Sequence, residues 1–280
     1  MGDILTCAVC GAAPASTGHG EHVWPKWFLK AMDALGPPKN GWSVNGRPVM
    51  NRDGKQIHLT ERQRVTLPAC TACNGELNRR FEEPAKSAVE ELARNQWSGH
   101  YSDADWQAVG MWWAKVLLLL GHPQARYAHP YLDKVAVRFD GTPPDYGWMV
   151  SGSSPPSHLS LWVFNATMTR ADSPFTLVLP SEVVAADNSR TLCHVLSLGT
   201  PGLCATVVSH PELCIENPLV ERGQAWELLH NPPSGDLSQL PQLAYDTIAW
   251  CRGGSVRPGH VVGSNQSSQL EALFGYEDDA

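Results

Sequence analysis

The 280-residue chain contains 42% hydrophobic and 18% charged residues, with 11 tryptophans. This composition excludes a disordered chain, which lacks enough apolar residues to form a core. The longest apolar stretch, residues 111–120, includes Lys115 and is about half of the ~20 residues that a membrane-spanning helix needs. No membrane partner is therefore expected. Residues 1–6 leave no room for a secretory signal before Cys7, so we expect a cytoplasmic protein.

The net charge of −7 is unevenly distributed along the chain. Residues 1–100 carry 12 Lys/Arg and 10 Asp/Glu, whereas residues 101–280 carry 9 and 18. Basic residues are densest between Lys39 and Arg64, which indicates either a solvated loop or a phosphate-binding surface. We predict two domains, 1–100 and 101–280.

The first hundred residues predict short elements. The Asn-Gly dipeptide at 45–46 and the Asp-Gly dipeptide at 53–54 are typical of tight turns between short, polar strands. Pro84 suits the first position of a helix, which we expect to continue through Leu92. A helix is also expected to begin near Asn74.

The second predicted domain begins with the clearest helix of the chain. Ser102 and Asp105 form a capping box ahead of a helix that ends at Gly121. This helix is apolar on nearly all sides and should be buried centrally. We expect another helix at 240–251 and a mobile tail after Gly253. Alternating apolar residues predict mainly antiparallel strands at 135–139, 159–163 and 177–179 and a hairpin of 192–198 with 203–208.

Two C-x-x-C pairs lie 59 residues apart in the first predicted domain. Such pairs are typical of a structural zinc site, in which each pair presents two thiolates to one tetrahedral ion. Four thiolates leave no open position, so the ion should stabilise the fold rather than catalyse. Coincidental spacing and a redox pair are the alternatives. The expected ligands are Cys7, Cys10, Cys70 and Cys73.

Other conspicuous residues are interpreted as core. Trp24 and Trp27 favour packing over base stacking, and Lys115 is read as a snorkelling or partnered lysine in the core. A second metal site is disfavoured because its candidate ligands lie in apolar strand patterns. Those candidates are Cys193, His194, Cys204, His210 and Cys214.

An acidic-His dipeptide, Glu21-His22, lies between the cysteine pairs, and Asn74 directly follows the last cysteine. This pattern resembles the HNH, or ββα-metal, endonucleases, in the branch with four zinc-binding cysteines and a second pair reading C-x-x-C-N. Phe81-Glu82 resembles the ending of bacterial members with an E-H-x-x-P-x-W element. The resemblance covers only the first predicted domain. It implies a zinc-stapled ββα-metal nuclease that cleaves DNA, followed by an α+β domain.

The resemblance also implies a role for each residue. His22 is the general base, because a neutral imidazole accepts the proton of an attacking water near neutral pH. Glu21 and Asn74 are the ligands of Mg²⁺ or Mn²⁺, hard cations that prefer oxygen. The candidates for a further residue on the metal side are Glu76, Asn78, Glu82 and His58.

Basic residues of the first domain are expected to contact the phosphates of double-stranded DNA. A phage-defence or mobile-element setting fits the resemblance. The acidic second domain is expected to govern dimerisation, partner recognition or restraint of the nuclease. The expected phosphate contacts are Lys26, Arg47, Arg52, Lys55, Arg62, Arg64, Arg79 and Arg80.

The sequence departs from the family pattern in two respects. The acidic residue is Glu21 where Asp or His is commoner, and no Asn occurs from Arg52 to Ala69, where many members have a middle Asn. A second class of protein therefore stays open: a non-catalytic, zinc-stabilised module that binds nucleic acid or protein, in which Glu21, His22 and Asn74 are structural. A thiol redox protein is a third alternative.

Overall fold

Helices and antiparallel strands build the molecule, as the predicted α+β class requires. The computed structural model describes a defined part of the chain, and every structural statement below concerns that part. The described residues are 6–11, 20–34, 43–44, 47–48, 53–54, 65–94, 96, 100–128, 133, 138, 146–165, 176–184, 190–200, 203–209 and 217–243.

The first part of the chain contains short strands and a long helical segment. Strand β2 pairs with β3, which confirms the predicted hairpin at 45–46. Gly54 has a φ of +73°, as a tight turn permits for glycine, while the strands predicted around it lie outside the described residues. The elements are β1 (Glu21–His22), α1 (Lys26–Asp33), β2 (Ser43–Val44), β3 (Arg47–Pro48), β4 (Val65–Leu67), α2 (Thr71–Leu77), a π-helical turn (Asn78–Glu82) and α3 (Glu83–Ala93).

The helix predicted to begin at Pro84 begins earlier, at Thr71, as the expectation near Asn74 anticipates. The N–H of Glu83 donates to the carbonyl of Asn78, five residues back, which widens the turn before the proline. Proline has no N–H to donate and its ring crowds the preceding turn. The π turn therefore lets one helical segment pass through Pro84.

The second part of the chain contains the central helix and a five-stranded antiparallel sheet. The sheet order is β10-β6-β9-β8-β7, and β8 with β9 forms the predicted hairpin. The elements are α4 (Asp103–Leu120), β5 (Arg126–Tyr127), a short helix (Trp148–Ser151), β6 (Leu159–Phe164), β7 (Thr176–Val184), β8 (Arg190–Thr200), β9 (Leu203–Ser209), a second short helix (Pro218–Glu221), β10 (Trp226–Glu227) and a 3₁₀ turn (Leu237–Gln239).

Three predictions for this part of the chain concern residues that are only partly described. The helix predicted at 240–251 is wrong for its first four residues, because Leu240 is extended and Leu243 donates its N–H to the carbonyl of Asn165 at 2.9 Å. Asn165 in turn donates its side-chain amide to the carbonyl of Leu240 at 2.9 Å. The strand predicted at 135–139, apart from Arg138, the remainder of that helix and the tail after Gly253 lie outside the described residues.

Helix α4 is the centre of the fold. Ser102 and Asp105 make both hydrogen bonds of the predicted capping box, and Gly121 is the C-cap. Of its 18 residues 12 are buried, as its apolar circumference predicts. It packs against α3 on one side and against β9 on another. None of the described helices is long and apolar enough to cross a membrane.

The predicted boundary at residue 100 crosses a shared sheet and a shared core. Strands β1, β4 and β5 form one sheet, although β5 follows α4 in the chain. Buried residues from Cys7 to Leu240 form one hydrophobic cluster. The division into two domains stays a prediction, and the two parts share one interior.

Gly110 allows α4 to approach the segment after β10. A Cβ built on Gly110 would lie 2.7 Å from the Cβ of Leu228 and 3.1 Å from its carbonyl oxygen, whereas one on Gly75 of α2 meets nothing within 4 Å. We expect Gly110→Ala to destabilise the protein by about 1–3 kcal/mol through overpacking. Gly75→Ala should stabilise it by about 0.5–1 kcal/mol through the lower entropy of its unfolded chain. Urea unfolding of both variants measures the contrast, and equal midpoints would contradict the close approach.

Candidate functional site

The cysteines of the two C-x-x-C pairs converge on one point. The sulfur atoms of Cys7, Cys10, Cys70 and Cys73 all lie within 4.8 Å of one another. A tetrahedral zinc with Zn–S bonds of about 2.3 Å would separate its sulfurs by about 3.8 Å. The four sulfurs are therefore close enough to share one ion, as the spacing predicts.

Local backbone geometry shapes each half of this four-cysteine cluster. Gly11 has a φ of +69° and donates its N–H to the carbonyl of Cys7 at 2.8 Å, which closes the first pair into a turn. Cys70 is the N-cap of α2, and its sulfur accepts the N–H of Cys73 at 3.5 Å. The second pair therefore lies on a helix terminus, whose free N–H groups favour thiolates.

The thiol of Cys73 illustrates why the cluster suits a cation. Burial raises the pKa of the Cys73 thiol, and the adjacent sulfurs raise it further. A bound cation supplies positive charge that stabilises the thiolates and reverses this effect. The cluster is thus a candidate metal centre built from soft ligands.

His122, just beyond α4, secures the turn of the first cysteine pair. Its Nδ1 accepts the N–H of Gln124 at 2.9 Å, so Nε2 carries the proton and donates to the carbonyl of Ala8 at 3.0 Å. Burial lowers the pKa of His122, which favours this neutral form. Ala8 also donates its N–H to the carbonyl of Pro68 at 2.8 Å. The end of α4 and the strand before Cys70 therefore hold the same turn.

The Glu21-His22 dipeptide lies on β1, directly beside the strand that leads to Cys70. Glu21 is opposite Leu67 and His22 is opposite Thr66 in β4. A Cβ on Gly20 would lie 2.1 Å from the carbonyl oxygen of Leu67, so only glycine permits this crossing of the chains. Adjacent strand residues face opposite sides, and accordingly Glu21 is buried while His22 is half-buried.

Lys115 of α4 binds the buried carboxylate of Glu21. Its Nζ lies 2.5 Å from Oε1 of Glu21 and 2.6 Å from Oε1 of Glu82, and its side chain is fully buried. Burial raises the pKa of Glu21, while the Lys115 ammonium opposes that rise. We call these three residues the Lys115 cluster.

The sequence predicts that Lys115 has a buried partner, but it does not identify that partner. A lysine inside an apolar run predicts a buried partner, because an unpaired charge is costly to bury. Its partners are 94 and 33 residues away in the chain, so spacing along α4 could not identify them.

The two carboxylates of the Lys115 cluster differ in how many of their oxygens are bonded. In Glu82, Oε1 accepts from Lys115 and Oε2 accepts the indole N–H of Trp27 at 3.4 Å. Among the described residues, Glu21 is bonded by Lys115 at Oε1 alone. Each oxygen of Glu82 therefore already accepts one hydrogen bond, and its predicted role as a further metal ligand stays a prediction. Glu21 retains an oxygen for that role.

The remaining metal-side candidates lie along α2 and the π turn. Asn74 is exposed, and its backbone N–H donates to the carbonyl of Cys70 at 3.0 Å. Glu76 forms an ion pair with Arg79 that lowers the pKa of Glu76 and raises the pKa of Arg79. Asn78 donates to Glu83 at 2.7 Å. Asn74 and Asn78 are both exposed, and the amide of Asn78 is bonded to Glu83, while His58 lies outside the described residues.

The predicted phosphate contacts separate into two kinds. Lys26 and Arg79 are exposed, as such contacts require. Arg80 instead donates to the carbonyls of Trp148 and Met149 at 2.7 and 2.8 Å and to that of Ser153 at 3.1 Å. These bonds hold the Arg80 guanidinium against the short helix Trp148–Ser151 and the residues after it, and its contact with phosphate stays a prediction. The side chain of Arg47 and residues Arg52, Lys55, Arg62 and Arg64 lie outside the described part.

The tryptophans near the dipeptide belong to the core. Trp24 is buried and stacks on Phe28 with ring centroids 5.4 Å apart. Trp27 packs against Trp112 at 5.6 Å. Cys204 is fully buried in β9, consistent with its interpretation as a core residue. The other candidates for a second metal site have no described side chains.

Comparisons with known proteins identify no relative of this chain. The chain matches no family model, and no curated protein or solved structure gives a significant match. Any function is therefore inferred from the four-cysteine cluster, the dipeptide on β1 and the groups around them.

Proposed function

We propose that this chain is a metal-dependent endonuclease of the HNH type that hydrolyses phosphodiester bonds of DNA. One observation carries the proposal. The antiparallel pair β1–β4 brings Glu21 and His22 beside the strand that enters α2, the helix of Asn74, and the four-cysteine cluster lies at that junction. This is the strand–strand–helix order that the resemblance to ββα-metal nucleases implies.

The four-cysteine cluster is proposed to bind a structural zinc ion. Cysteine thiolates are soft ligands, and a set of four within 4.8 Å of one another favours zinc over hard cations such as Mg²⁺. With all four positions taken by protein, the ion has no site for substrate. Its role is to hold the turn after Cys7 against the first turn of α2.

The catalytic roles follow from the two sides of β1. His22, half-buried on one side, accepts a proton from the attacking water. Glu21 and Asn74 supply oxygen donors for one Mg²⁺ or Mn²⁺ ion, which when bound neutralises negative charge developing on the phosphate. Lys26 and Arg79 contact backbone phosphates of the duplex and position it.

The direct test is nicking of supercoiled plasmid by zinc-loaded protein in the presence of Mg²⁺ or Mn²⁺. His22→Ala should lower the rate about 10²- to 10⁴-fold, the usual contribution of a general base, while zinc stays at one per chain. His100→Ala is the matched control, because His100 is exposed and bonds Ser234 at 3.1 Å, away from β1. Equal rates for wild type and His22→Ala would contradict the proposal.

A second candidate function has its own supporting observation. Glu21 is only 6% exposed and is ion-paired to Lys115, as a purely structural carboxylate would be. In that case the chain is a zinc-stabilised binding module without catalysis. Protein that shifts duplex DNA in a gel but leaves plasmid intact with either metal, for wild type and His22→Ala alike, would establish this alternative.

A further inference from the structure

We propose that Lys115 is a positioning residue for Glu21, which it holds so that the second carboxylate oxygen is available to the divalent cation. This inference rests on the proposed function for the role of Glu21. Lys115 belongs to the predicted second domain and Glu21 to the first, so the proposed nuclease site would depend on a contact between the two.

The hydrogen bonds of the Lys115 cluster give the direction of this effect. The carboxylate of Glu82 is held at both oxygens, since Oε1 accepts from Lys115 and Oε2 accepts from Trp27. Lys115 is fixed by Glu82 and by the fully buried surroundings of α4. Glu21 is bonded by Lys115 at Oε1 alone among the described residues. Trp27 therefore helps to fix Glu82, Glu82 helps to fix Lys115, and Lys115 in turn orients Glu21.

Charge and burial agree with this role. The Lys115 cluster contains two carboxylates and one ammonium, which leaves one excess negative charge when all three are ionised. Side-chain exposure is zero for Lys115 and 12% for Glu82, so the excess charge is poorly solvated. A divalent cation at Glu21 compensates it. Metal-binding carboxylates are commonly held by such hydrogen-bonding neighbours, whose loss lowers metal affinity or activity about 10- to 100-fold.

A simple electrostatic role and a positioning role predict opposite results for Lys115. At a pH where Glu21 is ionised in every variant, removing a nearby positive charge should tighten binding of a cation, whereas losing the group that orients Glu21 should weaken it. The double variant Lys115→Met/Glu82→Gln removes one charge of each sign, so the net charge of the cluster is kept and only its hydrogen bonding changes. It leaves one unpaired carboxylate in the interior, whereas Lys115→Met alone would leave two, so the double variant should be the less destabilised of the two.

The experiment measures Mn²⁺ binding to full-length, zinc-loaded protein by the EPR signal of free Mn²⁺, with plasmid nicking measured in parallel. We expect the double variant to bind Mn²⁺ at least about tenfold more weakly than wild type. Lys115→Arg keeps the charge but shifts the donors, and its affinity should lie between the two. Glu91→Gln is the matched control, since Glu91 of α3 accepts a hydrogen bond from Tyr101, outside the Lys115 cluster, and the change should leave Mn²⁺ binding unchanged.

The outcomes separate this inference from the proposed function. Wild-type nicking with equal Mn²⁺ affinity in wild type, Lys115→Arg and the double variant would overturn the role of Lys115 and leave the nuclease standing. Weakened Mn²⁺ binding in the double variant without nicking by wild type would support the role of Lys115 and end the nuclease proposal. Absence of Mn²⁺ binding by wild type would overturn the inference. If the double variant does not fold, Lys115→Arg alone decides in the same way.

Discussion

Loss of the proposed zinc is expected to unfold the β1–β4 pair and the first turn of α2. The thiolates tie the turn after Cys7 to Cys70 and Cys73, which lie 60 or more residues further along the chain. Structural zinc contributes about 10–16 kcal/mol in zinc-finger peptides, which is comparable with the total stability of about 5–15 kcal/mol of a typical domain. The metal-free protein should therefore not keep this region folded at 25 °C.

Hydrogen exchange after chelation measures this effect region by region. Amides of residues 20–34 and 65–77 should lose protection, whereas those of β6 and β9 serve as an internal reference. Cys73→Ala should abolish zinc binding with the same result. Cys204→Ala is its control, because Cys204 is also buried but lies in β9 outside the four-cysteine cluster. Retention of one zinc per chain and of exchange protection by Cys73→Ala would contradict the proposed site.

Features set by local sequence were predictable. The capping box at Ser102 and the apolar circumference predict α4 because both act within one helix. The hairpin of β8 and β9 follows from period-two alternation around a short turn. The convergence of the four cysteines was also predictable, since a shared ion requires it whatever fold lies between the pairs.

Features set by tertiary contacts were not predictable. Arg80 is a residue type that commonly contacts phosphate, yet its guanidinium donates hydrogen bonds to three carbonyls about seventy residues away in the chain. Glu82 was a metal-ligand candidate from its spacing to Cys73, but Lys115 and Trp27 occupy both of its oxygens. A motif identifies which residue types are present, whereas their partners depend on how α3 and α4 pack.

Lys115→Met is expected to destabilise the protein by about 3–5 kcal/mol, the usual cost of breaking a buried ion pair from one side. Methionine is unbranched like lysine and one heavy atom shorter, so most of the packing around α4 is kept. Glu21 and Glu82 would then face each other in the interior without a cation. Urea unfolding at pH 7 measures the loss, and a change below about 1 kcal/mol would contradict the burial of the Lys115 cluster.

The pH dependence of this loss gives a second measurement. Burial already raises the pKa of Glu21, and without Lys115 nothing in the cluster opposes that rise. A carboxyl group whose folded-state pKa lies above its unfolded value loses stability as the pH rises from that unfolded value. The destabilisation by Lys115→Met should therefore be larger at pH 7 than near pH 4.5, where protonation of Glu21 removes its charge.

The triple variant Lys115→Met/Glu21→Gln/Glu82→Gln separates the cost of unpaired charge from the loss of packing. It removes all three charges of the Lys115 cluster while keeping side-chain volumes. Because a buried ion network can be replaced by neutral residues at little cost, the triple variant should unfold at a higher urea concentration than Lys115→Met alone. If its stability is as low as that of the single variant, Lys115 contributes through packing of its aliphatic chain in α4, and the ion pairs with Glu21 and Glu82 are not the cause.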